Sequence, residues 1–178
     1  IISAKAIAHS FLPNWRKNIK YQESASASKS KGGGVLLDLS HEIDYMQYIL
    51  GDLSVSYSIN KKVSNLEIDT DDYLLICGEL NRGGLFNIET SYFSKNTRRK
   101  IFIETPNASI ELDIIKSQMK IFTDHKEEII SEKDYNPADT YVDQHQAILS
   151  GDFSKNCTLS EGLRTMEIIT EIQNARRQ

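Results

Sequence analysis

Cysteine is scarce in this 178-residue chain: Cys77 and Cys157 are the only two, and they form no CxxC or Cys/His pair. Disulfide frameworks and structural zinc sites depend on such spacing, so we expect neither a disulfide nor a metal site. Cys77 lies in an apolar run, where a free cysteine usually behaves as a small buried hydrophobe. With no signal peptide to contradict it, this pattern predicts a reducing, cytoplasmic compartment.

Long apolar runs are also missing, and none approaches the roughly 20 residues needed to cross a bilayer. Nor is there an excess of basic residues, since the net charge is −4 and the pI is near 5.6. We therefore expect no membrane partner and no nucleic-acid partner. A hydrophobic content of 39% and the chain length favour one domain over residues 1–178, with a core of its own.

Short strands separated by turn residues dominate the middle of the chain. Asn81-Arg82-Gly83-Gly84 is a strong hairpin signal between two apolar runs. The predicted strands are the opening residues up to His9, then Tyr73 to Leu80, Leu85 to Phe93, Lys100 to Glu104, Ser109 to Ile114, Gln118 to Phe122, and Glu127 to Ile130. Such short connections favour antiparallel neighbours, because a parallel crossover needs about a dozen residues. The expected fold class is α+β, a large and mostly antiparallel open sheet with helices packed on one face.

An amphipathic helix is predicted after a polar surface loop from Lys17 to Lys31. Its apolar residues recur on one face, at Ile43, Met46, Ile49 and Leu50. Ser40 or Asp38 suits its N-cap, and Gly51 suits its left-handed end.

The last part of the sequence is predicted to be helical again. Tyr141 to Leu149 forms a short helix closed by Gly151, and Thr158 with Glu161 matches a capping box. The helix that follows has an apolar stripe at Leu159, Leu163, Met166, Ile169 and Ile172, and it ends near Arg176 and Arg177, which suit the negative end of the helix dipole.

The segment from Gly32 to Asp44 has the strongest chemical signal. It is neither a phosphate loop nor a GxGxxG turn, and its three glycines permit positive φ and close approach of another molecule. His41 falls in the first turn of the helix, between Asp38 and Asp44. The positive helix end disfavours imidazolium whereas nearby carboxylates favour it, so His41 suits a general base. The alternative is a helix-start histidine that merely bonds a neighbouring carboxylate.

The run GGGVLLDLSHEIDYMQYILG resembles the signature of the C-terminal domain of the Gfo/Idh/MocA oxidoreductases, relatives of glucose-fructose oxidoreductase and inositol dehydrogenase. The segments FLPNWR, DTDDYLLI, NRGG, TRRKIFIETPNASIEL and LSEGLRTMEIITEI follow the family's order. The resemblance implies an NAD(P)-dependent dehydrogenase of a sugar or nucleotide sugar. In that family an N-terminal Rossmann domain holds the nucleotide, and a lysine, often in Glu-Lys-Pro, lies near the substrate. Neither occurs here, so we expect only the substrate-binding and oligomerisation half, inactive by itself.

By position, His41 matches the family's catalytic histidine, acting as general base or acid. Asp38 approximates its partner carboxylate, although the spacing here is Asp-x-x-His where many members have Asp-x-x-x-His. Asp44 follows the His-x-x-Asp part of the pattern and either contacts substrate or orients the helix. Gly33 and Gly34 are expected next to NAD or NADP, which the missing domain would mainly hold.

The resemblance also places Trp15 and Arg16 at the substrate mouth. An aromatic face suits sugar C–H groups, and a guanidinium can fork onto a carboxylate or phosphate. The alternatives are core packing for Trp15 and a surface ion pair for Arg16. For the triplet Arg98-Arg99-Lys100 we expect a solvated hairpin end. We assign no chemistry to the other histidines, which are His9, His125 and His145.

Two other functions remain open at this point. The fold could serve as a non-catalytic binding or scaffold domain, or the full protein could be a redox-assisted, NAD-dependent glycosidase. An open sheet with helices on one face leaves its other face in need of burial. We therefore expect a homodimer or higher homo-oligomer through that face.

Overall fold

A computed structural model describes residues 1–132, 136–154 and 156–175, and these residues build one eight-stranded sheet. The strands are β1 Ser3–Phe11, β2 Leu53–Lys61, β3 Tyr73–Leu80, β4 Leu85–Ser91, β5 Phe93–Glu104, β6 Ser109–Asp113, β7 Gln118–Phe122 and β8 Glu127–Ser131. Their order across the sheet is β2-β3-β4-β1-β5-β6-β7-β8. Every pairing is antiparallel except the one between β1 and β4. The predicted α+β class is confirmed.

Strand β1 lies inside the sheet and joins its two parts. Ala6 pairs with Ile88 of the parallel neighbour and with Ile101 of the antiparallel one. Because successive side chains point to opposite faces, Ala4, Ala6 and Ala8 all face the helices, and all are buried. Small residues at this row let the helices approach the sheet closely.

Four α-helices accompany the sheet: α1 Val35–Asp38, α2 His41–Leu50, α3 Pro137–Ser150 and α4 Leu159–Ala175. Helices α1, α2 and α4 pack against strands β1 to β4 and enclose the core. The largest fully buried side chains include Tyr92, Phe86, Leu36, Met46 and Ile169. Within the described part of the chain, no helix combines the length and apolar character required to span a bilayer.

Several predicted elements are confirmed, and two regions differ. The hairpin strands β3 and β4 match closely, and β7 has the predicted bounds. Strand β2 was not predicted separately, because its serines and tyrosine interrupt the apolar alternation. The predicted loop from Lys17 to Lys31 contains three single 3-10 turns, at residues 21–23, 25–27 and 29–31. It is not wholly a surface segment, since Ser26 and Ala27 are buried.

The apolar stripes are only partly correct. In α2, Ile43, Met46 and Leu50 are buried whereas Ile49 is exposed. In α4, Ile169 and Ile172 are buried together with Thr165 and Ile168, but Leu159, Leu163 and Met166 are exposed. The buried face of α4 is therefore rotated away from the stripe that the sequence predicted. Arg176 and Arg177 lie outside the described residues.

The helix ends follow the predicted chemistry unevenly. Thr158 N–H donates to Glu161 Oε2 at 2.7 Å and Glu161 N–H donates to Thr158 Oγ at 3.3 Å, so the capping box is confirmed. Gly51 ends α2 with φ of 85°. Ser40 precedes α2 without a side-chain cap bond, and Asp38 belongs to the separate short helix α1.

Candidate functional site

The glycine segment before α1 is held in place by aspartates from the loop before β3. Lys29 N–H donates to Asp69 Oδ1 at 2.7 Å, and Leu36 N–H donates to Asp71 Oδ2 at 3.0 Å. Val35 N–H also donates to the carbonyl of Asp71 at 3.1 Å. A carboxylate that accepts backbone N–H groups fixes the path of the chain. These bonds determine where α1, and after it α2, begins.

Gly33 and Gly34 are buried, and a side chain at either position would meet atoms of the protein itself. A Cβ on Gly33 would overlap the carbonyl oxygen of Ala25. Gly34 has φ of +122°, and a Cβ there would lie 2.7 Å from Oδ1 of Asp71. The geometry explains both glycines by close packing of the chain on itself. Their contact with a cofactor stays a prediction.

His41 is the first residue of α2, and its side chain is half exposed. Its Nε2 lies 3.1 Å from Oε1 of Glu42, whose side chain is almost fully buried. The imidazole therefore has one nitrogen against a buried carboxylate while the ring remains open to solvent. That arrangement suits a group that exchanges a proton with a bound molecule.

Glu42 is held by two further donors from different elements. Arg99 of β5 donates from Nε to Oε1 at 2.7 Å, and Tyr45, one turn along α2, donates from its hydroxyl to Oε2 at 2.5 Å. Burial raises the pKa of Tyr45, and the adjacent Glu42 carboxylate raises it further. Arg98, Arg99 and Lys100 all lie within β5, so the expectation of a hairpin end is wrong. Arg99 is also not simply solvated, because it bonds Glu42. Arg98 and Lys100 point to the other face of the sheet, as strand alternation requires.

Asp38 and Trp15 are brought together by Tyr92. The fully buried Tyr92 donates its hydroxyl to Asp38 Oδ2 at 2.6 Å. The Trp15 ring meets the Tyr92 ring edge-on, with centroids 5.1 Å apart, and its Nε1 donates to Ser10 Oγ at 2.9 Å. Burial, followed by the bond to Asp38, raises the pKa of Tyr92, so its hydroxyl stays a donor.

Asp44 and Arg16 lie at different places from this cluster. Asp44 Oδ1 accepts from Thr165 Oγ at 3.2 Å, a bond that joins α2 to α4 and agrees with a helix-orienting role. Asp44 also lines a groove of about 510 Å³ with Tyr48, Cys157 and other residues of both helices. Arg16 is exposed and shares with Trp15 a recess of only about 10 Å³, room for a single water.

The sequence predicted His41, Asp38 and Trp15 as site residues, and these roles stay predictions; it did not indicate the contact between Glu42 and Arg99. A glutamate that follows a histidine on a helix is usually exposed to solvent, so nothing in the local sequence indicated that Glu42 is buried. Arg99, the cation that pairs with it, lies 57 positions away in sequence. Among residues 1–132, 136–154 and 156–175, no group of three or more His, Cys, Asp and Glu could hold a metal ion.

Comparison with known proteins agrees with this architecture. The model of a family described as "Oxidoreductase family, C-terminal alpha/beta domain" matches residues 9–178. No curated protein matches the sequence.

Solved structures of oxidoreductases share the fold at low identity. An NAD binding oxidoreductase from Klebsiella pneumoniae is 13% identical, with a TM-score of 0.77 over 97% of this chain and 56% of that one. A UDP-N-acetylglucosamine 3-dehydrogenase from Acidithiobacillus ferrooxidans is 15% identical, with a TM-score of 0.70 over 97% and 52%. A levoglucosan dehydrogenase in complex with NADH is 18% identical, with a TM-score of 0.61 over 78% and 40%. This chain thus spans about half the length of the structures that it resembles.

Proposed function

The chain belongs to the Gfo/Idh/MocA oxidoreductase family, whose C-terminal alpha/beta domain matches residues 9–178, and on that premise we propose that it is the substrate-binding half of an NAD(P)-dependent dehydrogenase. The proposed substrate is a sugar or nucleotide sugar, oxidised at a hydroxyl or reduced at a ketone. Two similar structures, a UDP-N-acetylglucosamine 3-dehydrogenase and a levoglucosan dehydrogenase, support that class. The observation that carries the proposal is the half-exposed His41 beside a buried carboxylate.

His41 acts as the proton acceptor in the oxidative direction. The sugar hydroxyl gives its proton to the imidazole while the carbon bearing it loses a hydride, and the reverse transfer serves ketone reduction. A nicotinamide cofactor, when bound, supplies the hydride acceptor. The helix start fixes the imidazole, and the open side of the ring leaves room for the substrate hydroxyl.

Asp38 and Trp15 shape the neighbouring surface through Tyr92. With its carboxylate held by the Tyr92 hydroxyl, Asp38 has lone pairs left for a substrate hydroxyl. The exposed part of the Trp15 ring offers a face to sugar C–H groups, and Arg16 beside it is free in solvent to approach an anionic substituent.

The sequence of these 178 residues lacks the usual dinucleotide-binding turn, since no strand–GxGxxG–helix unit occurs in it. We therefore assign the nucleotide to a Rossmann domain encoded outside these 178 residues. This division of labour agrees with the half-length coverage of the similar structures.

A second copy of the chain covers the sheet face that carries no helix. The outward residues of neighbouring strands form rows, and one row pairs Cys77, Asn87, Lys5 and Phe102 across β3, β4, β1 and β5. Helices α1, α2 and α4 pack on the opposite face, where Ala6, Ile88 and Ile101 are buried. A half-apolar sheet face of this kind suits a homodimer, in which the same face of each copy is buried against that of the other.

The test is a panel of sugars and nucleotide sugars with NAD and NADP, applied to the full-length protein that contains this chain. We expect His41→Ala to lower kcat by about 10²–10⁴-fold, the usual contribution of a general base, with an unchanged unfolding midpoint. His125→Ala, in the exposed turn between β7 and β8, is the matched control and should leave kcat unchanged.

Three results would overturn the proposal. Full turnover in His41→Ala would show that His41 is not the general base. A full-length gene without a dinucleotide-binding domain would leave only a binding or scaffold role. Release of sugar products without net NAD(P) turnover would identify a redox-assisted glycosidase.

A further inference from the structure

Glu42 is a buried carboxylate that the proposed chemistry does not use. Its side chain is about 1% exposed, and burying a charge is costly unless the charge is paired and hydrogen-bonded. Here the pairing is complete: Arg99 donates to Oε1 and Tyr45 donates to Oε2. The carboxylate thus stays a fixed acceptor directly beside His41.

We propose that Glu42 is a positioning residue, which fixes the tautomer of His41 so that Nδ1 is the atom that exchanges a proton with substrate. Nε2 and Oε1 of Glu42 form a charge contact of 3.1 Å. Because a carboxylate is negative and offers only lone pairs, it favours the tautomer with hydrogen on Nε2 over the one that turns the Nε2 lone pair toward it. The neutral ring then has its free lone pair on Nδ1. In the charged ring, the same carboxylate balances the imidazolium.

Two donors from different elements make this arrangement rigid. Arg99 belongs to β5 and Tyr45 to α2, so the Glu42 carboxylate cannot rotate toward His41 or away from it without breaking one bond. Asp38, which the sequence suggested as the partner of His41, is instead engaged by Tyr92. The glutamate that follows the histidine therefore occupies the partner role.

The assignment of Nδ1 rests on the proposed function of His41, but the tautomer can be measured without activity. We suggest long-range ¹H–¹⁵N correlation spectra of the 178-residue chain labelled at histidine, recorded at alkaline pH. His41 is expected to show one tautomer, with hydrogen on Nε2. His125, exposed in a turn, should show the tautomer mixture of a free imidazole.

Glu42→Gln keeps the shape and removes the charge, so the ¹⁵N shifts of His41 should move toward those of His125. Glu89→Gln is the matched control, since Glu89 likewise lies near a histidine nitrogen, 3.9 Å from Nε2 of His9 in β1, and not near His41. That control should leave the His41 shifts unchanged.

In the full-length enzyme, Glu42→Gln should lower kcat by about ten- to a hundredfold with little change in KM, a smaller loss than His41→Ala. Wild-type His41 shifts that equal those of His125, or hydrogen on Nδ1, would overturn the proposal; this comparison needs no substitution and decides even where a variant fails to fold. Full turnover in His41→Ala, with hydrogen on Nε2 in the wild-type protein, would instead contradict only the proposed function.

Discussion

The Nε of Arg99 donates a 2.7 Å hydrogen bond to Oε1 of Glu42, and this bond joins strand β5 to the first turn of helix α2. One partner is almost fully buried and the other is about one-third exposed. An ion pair on the surface contributes little to stability, whereas a buried carboxylate that loses its cation is left uncompensated. Arg99 therefore contributes to stability mainly by neutralising Glu42, which is buried away from water.

We expect Arg99→Ala to lower the free energy of unfolding by roughly 3 kcal/mol, the low end for an orphaned buried charge because water can enter where the guanidinium was. Unfolding in urea measures this change in free energy. Arg98→Ala is the matched control, since Arg98 is exposed and lies on the other face, and it should change stability by less than about 0.5 kcal/mol. Equal effects of the two substitutions would contradict the buried-pair interpretation.

Tyr92→Phe should destabilise the fold by about 1.5–3 kcal/mol, the range for a hydrogen bond to a charged group. The substitution removes the donor to Asp38 but keeps the ring against Trp15. Chemical denaturation gives the change, with Tyr48→Phe as the control because Tyr48 is 81% exposed. A loss no larger than that of the control would show that the Asp38 bond contributes nothing.

Two glycines of the segment before α1 allow the cost of steric crowding to be measured apart from the cost of a left-handed backbone. Gly33→Ala introduces a Cβ into backbone atoms of Ala25 and Ser26, while Gly32→Ala has open space but φ of +76°. We expect Gly32→Ala to cost about 1–2 kcal/mol, as a left-handed residue does, and Gly33→Ala to cost more or prevent folding. Thermal melts of both variants test this order, and the reverse order would show that crowding at residue 33 is relieved cheaply.

Stability should fall with acidification around His9. Burial lowers the pKa of His9 below 6.5, with Glu89 opposing and Arg98 and Lys5 adding to the shift. Below about pH 6.5 the unfolded chain binds a proton that the folded chain resists, so stability is lost as pH falls toward the lowered pKa. His9→Gln should flatten this dependence in unfolding curves between pH 7 and 5.

The control for that experiment is His125→Gln, in an exposed turn. It should keep the slope of the wild-type protein. If His9→Gln kept it as well, the acid sensitivity would come from other groups.

The uncovered sheet face predicts a self-associating protein. Phe102→Glu places a charge in the row between Lys5 and Glu111 and should convert a dimer into a monomer, seen by light scattering. Ile115→Glu, in the exposed turn after β6, should leave the dimer intact. A wild-type monomer would rule out the second copy on this face.

Local patterns predicted the strands better than the helix faces. The NRGG turn and the bounds of β7 follow from turn chemistry and alternation within a few residues. The buried face of α4 depends on where α2 and β2 meet it, and so the stripe at Leu159 and Leu163 is exposed although its period is helical. Tertiary contacts decide which face of a helix is covered.

The site shows the same division between local and distant information. His41 and Asp38 were identified from a short motif, because the histidine and its helix start are adjacent in sequence. Glu42 could not be recognised, since its burial depends on Arg99 of a strand formed much later in the chain. The bond between the Tyr92 hydroxyl and Asp38 joins residues 54 positions apart, so no local pattern could predict it.

The position of β1 between β4 and β5 has a consequence for synthesis of the protein. Both partner strands of β1 lie far downstream in the sequence. The ribosome must therefore extend the chain beyond Leu85 before the backbone groups on either edge of β1 can form their hydrogen bonds. Translation at about 5–20 residues per second leaves that segment unpaired for seconds. Because β1 is rich in alanine, it is a poor nucleus for aggregation while it is unpaired. Replacing Ala6 by a larger aliphatic residue would make aggregation of the unpaired strand more favourable and would also crowd the core.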